Sequence, residues 1–336
     1  MTIYGGGVMT LAEMKQRLDP DNSVAAIVEL LARSDEVLED IPWMEGNLLD
    51  GHKTTIRAGL PTPTWRKLNQ GVAASRSTTA QITFPTAQLA ARTEADVDVV
   101  ALGGNTAAAR LSETRAQLMA LPQGFVDALW YADPVANPTT DIAKFPGFHY
   151  YFKDDTTGNT KDHIIDFGDS TSAMSSIWIV AWGDDTVCGI YPKGTTAGLR
   201  HRDLGEGDAF DASSNRYRAY MDDYKWDCGL AVKDWRAVVR IANIDSADLI
   251  ATVATQQALI TALIQGINKI PSMYRSRVRI YCNSTVATAL ELGAYADVKA
   301  GGGITFQNIG GQTVKTFRGY PLRISNGLTI TETVIS

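Results

Sequence analysis

One stretch of this chain, residues 51–93, cannot form a hydrophobic core by itself. It contains no acidic residue, and it is rich in Thr, Gly, Pro and Ala but poor in large apolar residues. A segment of this composition buries too little apolar surface to offset the entropy lost on ordering it. We therefore expect a long loop or an open hairpin that needs an outside surface to lie on. Its cations are Lys53, Arg57, Arg66, Lys67, Arg76 and Arg92.

The segment just before this stretch carries the opposite charge. Residues 29–50 contain seven acids against one base, Arg33, so a net charge of -6 precedes a net charge of +6. A short charged run is usually a solvated loop, but this length and the complete lack of acid favour a docking arm that meets an acidic surface on a neighbouring copy. The predicted acidic surface comprises Glu29, Asp35, Glu36, Glu39 and Asp40.

A single tryptophan, Trp65, lies in the middle of the polar stretch. Large aromatic residues are frequent energetic anchors of protein interfaces. Trp65 is therefore predicted to press into an adjoining subunit. The alternative is that it packs within its own hairpin.

The centre of the chain has the pattern of two half-buried strands. Trp226, Cys228, Leu230 and Val232 recur at every second position, and a second run with the same spacing follows from Ala237. Upstream, the run SIWIVAWG is apolar on both faces, which is typical of a strand covered from two sides. The tryptophans of this block are predicted to be core or interface anchors.

Helical periodicity flanks the central block. Asn105 to Tyr131 predicts a helix that either kinks or divides at Pro122, and Ser246 to Lys269 predicts the clearest helix of the chain. The run RVRIYCN then predicts a strand, and two alternating runs about Gly310-Gly311 predict a hairpin. The mixture indicates an α+β protein.

We find no motif that indicates catalysis. The four histidines have no metal-binding spacing, the three cysteines form no paired motif, and no nucleophile elbow or phosphate loop is present. Acids near His201 and around Asp222 could hold a metal, but exposed loop acids are far commoner than metal sites. Arg236 and Arg240, on one side of a predicted strand, indicate carboxylates nearby. We predict no enzyme activity, no cofactor and no metal.

Bulk properties exclude other classes of protein. No apolar run reaches the roughly 20 residues of a membrane span, and the first residues do not read as a secretion signal, so folding in a cytoplasm is expected. The formal net charge of -6 argues against a protein that coats DNA.

Taken together and in order, the segments resemble a major capsid protein of tailed bacteriophages with the Hong Kong 97-type fold, in a podophage-like branch. The segments that carry the resemblance are IVELL...DEVLEDIPW, RAGLPTPTWRKLNQGV, ALWYAD, SSIWIVAWGDDTVCGIYPKGTTAGL, KWDCGLAVKDWRAVVRIANI and GYPLRISN. None of them is a catalytic motif.

The resemblance implies a division of the chain. Residues 1–50 would be an N-terminal arm, 51–93 an extended loop over the adjacent subunit, and 94–245 a spine helix with the peripheral domain. Residues 246–336 would be an axial domain whose final strands return to the peripheral domain. The predicted loop contacts are Lys53, Arg57, Trp65, Arg66, Lys67 and Arg76.

The implied function is self-assembly into hexamers and pentamers that form the icosahedral head around a phage double-stranded DNA genome. Expected partners are other copies of the chain, a separate scaffolding protein, a portal protein and a decoration protein, without sequence-specific DNA binding, membrane contact or covalent cross-links. The protein would reside in the virion after assembly in the bacterial cytoplasm. The alternative is an encapsulin-like shell protein of a cellular nanocompartment.

Overall fold

The computed structural model of the protein describes residues 35–102, 106–154, 158, 160–168, 173–210, 214–296, 304–309 and 312–335. Contacts divide the chain into two compact units. Of the described residues, the first unit contains Asp35, Gln88–Ala128 and Gly198–Asp227, and the second contains Glu36–Ala87, Leu129–Ala197 and the chain from Cys228. The predicted boundary after Asp245 lies inside the second unit.

The described helices and strands alternate irregularly along the chain. The α-helices are α1 (Val37–Asp40), α2 (Val97–Leu102), α3 (Thr106–Tyr131), α4 (Phe148–Tyr151), α5 (Ser246–Ala251), α6 (Val253–Lys269) and α7 (Ser284–Ala296). The strands are β1 (Trp43–Glu45), β2 (Gly51–Gly59), β3 (Thr78–Pro85), β4 (Ala87–Asp96), β5 (Ile164–Asp166), β6 (Met174–Ala181), β7 (Val187–Tyr191), β8 (Leu199–Phe210), β9 (Arg216–Val232), β10 (Val238–Asp245), β11 (Val278–Cys282), β12 (Ile304–Ile309), β13 (Gln312–Phe317) and β14 (Tyr320–Ile324).

A mixed sheet forms the centre of the second unit. Its strand order is β12-β13-β14-β11-β6-β10-β5, with β6 antiparallel to both β10 and β11. Every residue of β6 and β10 is buried, which explains why SIWIVAWG is apolar on both faces. The prediction of a half-buried strand was therefore wrong for β10, because neighbouring elements cover both of its faces. Helix α6 packs closely on this sheet, because a Cβ at Gly266 would lie 2.7 Å from the Cδ1 atom of Ile179.

Aromatic side chains fill the core of the second unit. The ring of Trp130 stacks on Phe148 and on Trp178, with centroids 5.3 and 5.9 Å apart. Its indole Nε1 donates to Ser325 Oγ at 2.9 Å, and the indole of Trp182 donates to the Tyr281 hydroxyl at 2.8 Å. The aromatic FPGFHYYF segment therefore contributes core, as such clusters usually do.

The structure decides one open question about a helix and corrects another helix prediction. Helix α3 is continuous through Pro122, although this residue has no N–H to donate to the preceding turn. The predicted helix from Ser246 is instead two helices, because Thr252 is extended, with φ -125° and ψ 119°. Asp245 caps the first of them by accepting from the N–H groups of Ala247 and Asp248.

The first unit contains a long hairpin, helix α2, most of helix α3 and strand β4. The hairpin pairs β8 with β9 from Leu199 and Trp226 to Phe210 and Arg216. Strand β9 begins well before the alternation that predicted it. Trp226 stacks on Phe125 of helix α3 at 4.7 Å between centroids.

Candidate subunit interface

The acid-free stretch forms an antiparallel hairpin, which we call the basic arm and define as residues 51–85. Strands β2 and β3 pair from Gly51 opposite Pro85 to Gly59 opposite Thr78. The structure ends the hairpin at Pro85, and the remainder of the predicted loop belongs to strand β4. Arg92 accordingly lies outside the arm, where it pairs with Asp223 at 2.7 Å.

Five predicted contact cations project from the basic arm into solvent. Each of them is exposed, and none forms an ion pair with a residue in the part of the chain that the structure describes. These cations are Lys53, Arg57, Arg66, Lys67 and Arg76. The arm therefore presents a net positive surface that its own fold does not neutralise.

Trp65 stands at the far end of the arm with its side chain fully exposed. Leu60, Leu68 and Val72 on the same connection are also exposed. Trp65 therefore does not pack within its own hairpin, which was the alternative. An exposed patch of this kind is typical of an interaction surface.

The predicted acidic residues are not equally available. The side chain of Asp40 is buried and accepts from the Tyr281 hydroxyl at 2.7 Å, and it pairs with Arg279 and Arg323 at 3.4 Å. Burial, together with this carboxylate, holds the pKa of Tyr281 well above its usual range. Asp40 is thus engaged within its own chain.

The other acids lie at the surface or outside the described part. Glu36 pairs with Arg323 at 3.0 Å while its side chain stays half-exposed, and Glu39 is exposed. Asp35 is partly buried. Glu29 lies outside the described residues. Their contact with a neighbouring copy stays a prediction.

The acids that could have formed a metal site are paired with cations instead. Asp222 accepts from Arg110 Nη2 at 3.1 Å and contacts His201 Nε2 at 2.9 Å. Asp227 pairs with Arg200. Within the described ranges, no three metal-binding side chains converge. None of the described helices combines the length and apolar character that a membrane crossing needs.

Each arginine of the central block has a carboxylate beside it, as predicted, but the two arginines do not share one strand. Arg236 lies in a 3-10 turn rather than in the strand, and it pairs with Asp234 at 2.8 Å. Arg240 is fully buried in β10 and pairs with Glu332 at 2.7 Å. The sequence indicated carboxylates but not which ones, because Glu332 lies far along the chain.

The buried Arg240 has a complete set of partners. Its guanidinium donates to Ser176 Oγ at 3.1 Å and to the Phe152 carbonyl at 2.9 Å, and it lies 3.0 Å from His149 Nδ1. Burial lowers the pKa of His149 to about 4, and the neighbouring Arg240 charge adds to this effect. The cluster holds the last part of the chain against the central sheet.

Comparison with known proteins gives a consistent result. A family model described as major capsid protein GP7 matches residues 19–336. A chain in the near-atomic-resolution structure of bacteriophage Epsilon15 is 25% identical, with a TM-score of 0.75, and the match covers 100% of this chain and 99% of that chain. Among curated proteins, no sequence matches.

Two weaker likenesses have TM-scores too low to support an argument. A chain of the bacteriophage JBD30 capsid is 9% identical with a TM-score of 0.46, covering 78% of this chain and 84% of that chain. A chain of the SrpI encapsulin complex from Synechococcus elongatus is 9% identical with a TM-score of 0.42, covering 70% of this chain and 96% of that chain.

Proposed function

The chain belongs to the family of major capsid protein GP7, and from this membership we propose how its surface serves a shell. It is a bacteriophage major capsid protein with a Hong Kong 97-type α+β fold, as the sequence predicted. Such a protein works by associating with copies of itself in the virion. The proposal concerns the finer arrangement.

In that arrangement, copies form hexamers and pentamers that close into an icosahedral head around double-stranded DNA. A separate scaffolding protein, a portal protein and a decoration protein complete the assembly, which takes place in the bacterial cytoplasm. The protein has no catalytic role. Its net charge of -6 supports enclosure of DNA without tight binding.

Within each copy, helix α3 serves as the spine helix. The first compact unit corresponds to most of the peripheral domain. Helices α5 to α7 and the strands beside them correspond to the axial domain. The chain order of these elements supports this assignment.

The observation that carries the proposal is the unneutralised basic arm. Its cations have no acidic partner within the described chain, and Trp65 is fully exposed. A neighbouring copy that covers the arm would bury this aromatic surface and supply the missing acids. Each contact is weak, but a closed shell repeats it many times.

The acceptor on the neighbouring copy centres on the exposed Glu39 and on Asp35 and Glu36. Asp40 serves indirectly, since its bonds to Tyr281 and Arg323 hold helix α1 in place. Glu29 extends the same acidic surface.

Sedimentation and electron microscopy of the recombinant chain, with and without a scaffolding partner, test the function. We expect rings, tubes or closed shells. A compact monomer under every condition would overturn the capsid function for this chain.

Charge reversal tests the role of the arm. We expect Arg66→Glu combined with Lys67→Glu to block or distort assembly, while the melting temperature of the monomer stays unchanged. The matched control reverses two exposed lysines outside the arm, Lys161 and Lys225, and should assemble normally. Normal shells from the arm variant would refute this role.

Fluorescence tests the anchor role of Trp65. The difference spectrum between the original chain and a Trp65→Phe variant isolates this residue from the other tryptophans. We expect its emission to shift to shorter wavelength when capsomers form. An unchanged spectrum would remove Trp65 from the interface.

A further inference from the structure

We propose that four positions, Gly46, Asn47, Gly51 and Gly229, form a seat that sets the direction in which the basic arm leaves the second unit, and that assembly depends on this direction. The inference rests on the proposed function of the arm. The first test measures the direction of the arm in the unassembled chain. Failure of the seat can therefore be distinguished from failure of the proposed function.

The arm does not hold its own direction by apolar packing. Within residues 51–85, only Gly51 and Phe84 are buried. Phe84 packs against Cys188, Ile190 and Ala231. A two-stranded hairpin exposed on both faces is marginally stable by itself, so whatever orients the arm must act at its base.

Backbone hydrogen bonds tie the base of the arm to the neighbouring strands. The N–H of Gly46 donates to the Tyr191 carbonyl at 2.7 Å, and the N–H of Lys193 donates to the Leu48 carbonyl at 3.1 Å. On the other side, the N–H of Thr86 donates to the Asp50 carbonyl at 2.9 Å. Both ends of the hairpin are therefore fastened within one unit.

Three glycines allow these backbones to approach closely. A Cβ at Gly46 would lie 2.4 Å from the Gly51 carbonyl oxygen, and one at Gly51 would lie 2.3 Å from the Phe84 carbonyl oxygen. A Cβ at Gly229 would lie 2.9 Å from the Pro85 carbonyl oxygen. Because these neighbours are backbone atoms, they cannot rotate away as a side chain could. A methyl group at any of the three positions would displace the base.

Asn47 adds a side-chain clamp. Its Nδ2 donates to the Lys53 carbonyl at 2.7 Å, and its Oδ1 accepts from the Lys53 N–H at 2.7 Å. The amide thus satisfies both backbone groups of one residue, as a neighbouring strand would. It fixes β2 just beyond the glycines.

The length of the arm amplifies any error at the seat. Strand β2 has nine residues, which at about 3.3 Å per residue extend about 30 Å. At that length a rotation of about 10° at the base displaces the far end by about 5 Å, more than a hydrogen bond or ion pair tolerates. A small change at the seat therefore removes contacts made by the tip.

Pulsed spin-label distances measured on the monomer test the seat. Labels at Thr79→Cys in the arm and Ile142→Cys in the same unit are selective, because the native cysteines Cys188, Cys228 and Cys282 are buried. We expect one narrow distance in the parent chain. We expect this distance to shift or broaden by about 5 Å in each of three variants: Gly51→Ala, Gly229→Ala and Asn47→Ala.

The matched control is Gly71→Ala, since a Cβ at Gly71 meets nothing within 4 Å. It should leave both the distance and assembly unchanged. Asn47→Asp keeps the acceptor for the Lys53 N–H but loses the donor, so it should give an intermediate broadening. If Gly51→Ala does not fold, the Asn47 variants decide the question.

Assembly of the same variants completes the test. We expect folded monomers with displaced arms that form few or no closed shells. An unchanged distance in the folded seat variants would overturn the seat. A displaced arm with normal shells would overturn the dependence of assembly on direction. A parent chain that never assembles would refute the proposed function. The spin-label distances in the monomer would still show whether the four positions set the direction of the arm.

Discussion

The two compact units are stabilised by different interactions. In the first unit, strands and helix are joined by ion pairs, such as Arg110 with Asp203 at 2.8 Å and Arg92 with Asp223 at 2.7 Å. In the second, buried aromatic rings and a buried ion pair between Arg240 of β10 and Glu332 lie at the centre, where every residue of β6 and β10 is buried. Water and salt weaken exposed ion pairs, whereas buried aromatic packing does not depend on charge. The two units should therefore respond differently to mutation, pH and salt.

The largest expected effect is a truncation in the aromatic core. Trp130→Ala removes a buried ring that stacks on two others, and it should lower the free energy of unfolding of the second unit by about 3–5 kcal/mol. Denaturant unfolding measures this loss. The matched control, Trp65→Ala at the exposed tip, should change the monomer by less than about 0.5 kcal/mol. If Trp130→Ala and Trp65→Ala destabilised the monomer equally, the buried core would not be what stabilises the second unit.

Breaking the buried ion pair should come next. Glu332→Gln leaves the Arg240 guanidinium buried without its counter-charge, which should cost about 3 kcal/mol. Arg240→Met combined with Glu332→Gln should be less destabilising than Glu332→Gln alone, because no charge stays buried. A double-mutant cycle by chemical denaturation measures the coupling. Additive losses would show that the two residues act independently.

Acid should weaken the second unit through His149. Its pKa is lowered from 6.5 to about 4 in the folded chain, by burial and by Arg240. The unfolded state therefore binds the proton first, so this contribution to stability is complete above pH 6.5 and is lost progressively between pH 6.5 and 4. The loss amounts to about 3 kcal/mol at most. His149→Gln should flatten the pH dependence of unfolding over that window, and an unchanged slope would contradict the assignment.

Salt should produce the smallest effect, which we expect in the strands joined by exposed ion pairs and not in the buried strands β6 and β10. The side chain of Arg92 is half-exposed, so its pair with Asp223 should contribute less than about 1 kcal/mol and weaken further in 1 M salt. Hydrogen exchange resolved by peptide should show faster exchange in β8 and β9 at high salt, with β6 and β10 unchanged. Equal changes in both units would mean that ion pairs do not distinguish them.

Sequence reasoning located the sheet strands and the basic arm because their patterns are local. The all-apolar run of β6 and the acid-free stretch of the arm can be recognised from neighbouring residues alone. The break at Thr252 was missed, since Asp248 accepts hydrogen bonds from both Thr252 and Thr255, and helical periodicity does not reveal such a contact.

The candidate interface was predictable in part for the same reason. Charge and exposure of the arm follow from composition, so Lys53, Arg57 and Arg66 lie in solvent as expected. Composition could not reveal that the side chain of Asp40 is buried against Tyr281, or that Arg92 belongs to another strand. Both depend on which segments meet in space.

The sequence by itself determined the family, the α+β class and the existence of a long basic segment that its own chain cannot cover. Tertiary structure alone decided that Glu332 neutralises Arg240, that Gly51 and Gly229 admit the backbone beside them, and that Asn47 holds Lys53. The physical reason is range. Periodicity and charge are carried by adjacent residues, whereas close packing and buried ion pairs depend on atoms that only the folded chain brings together.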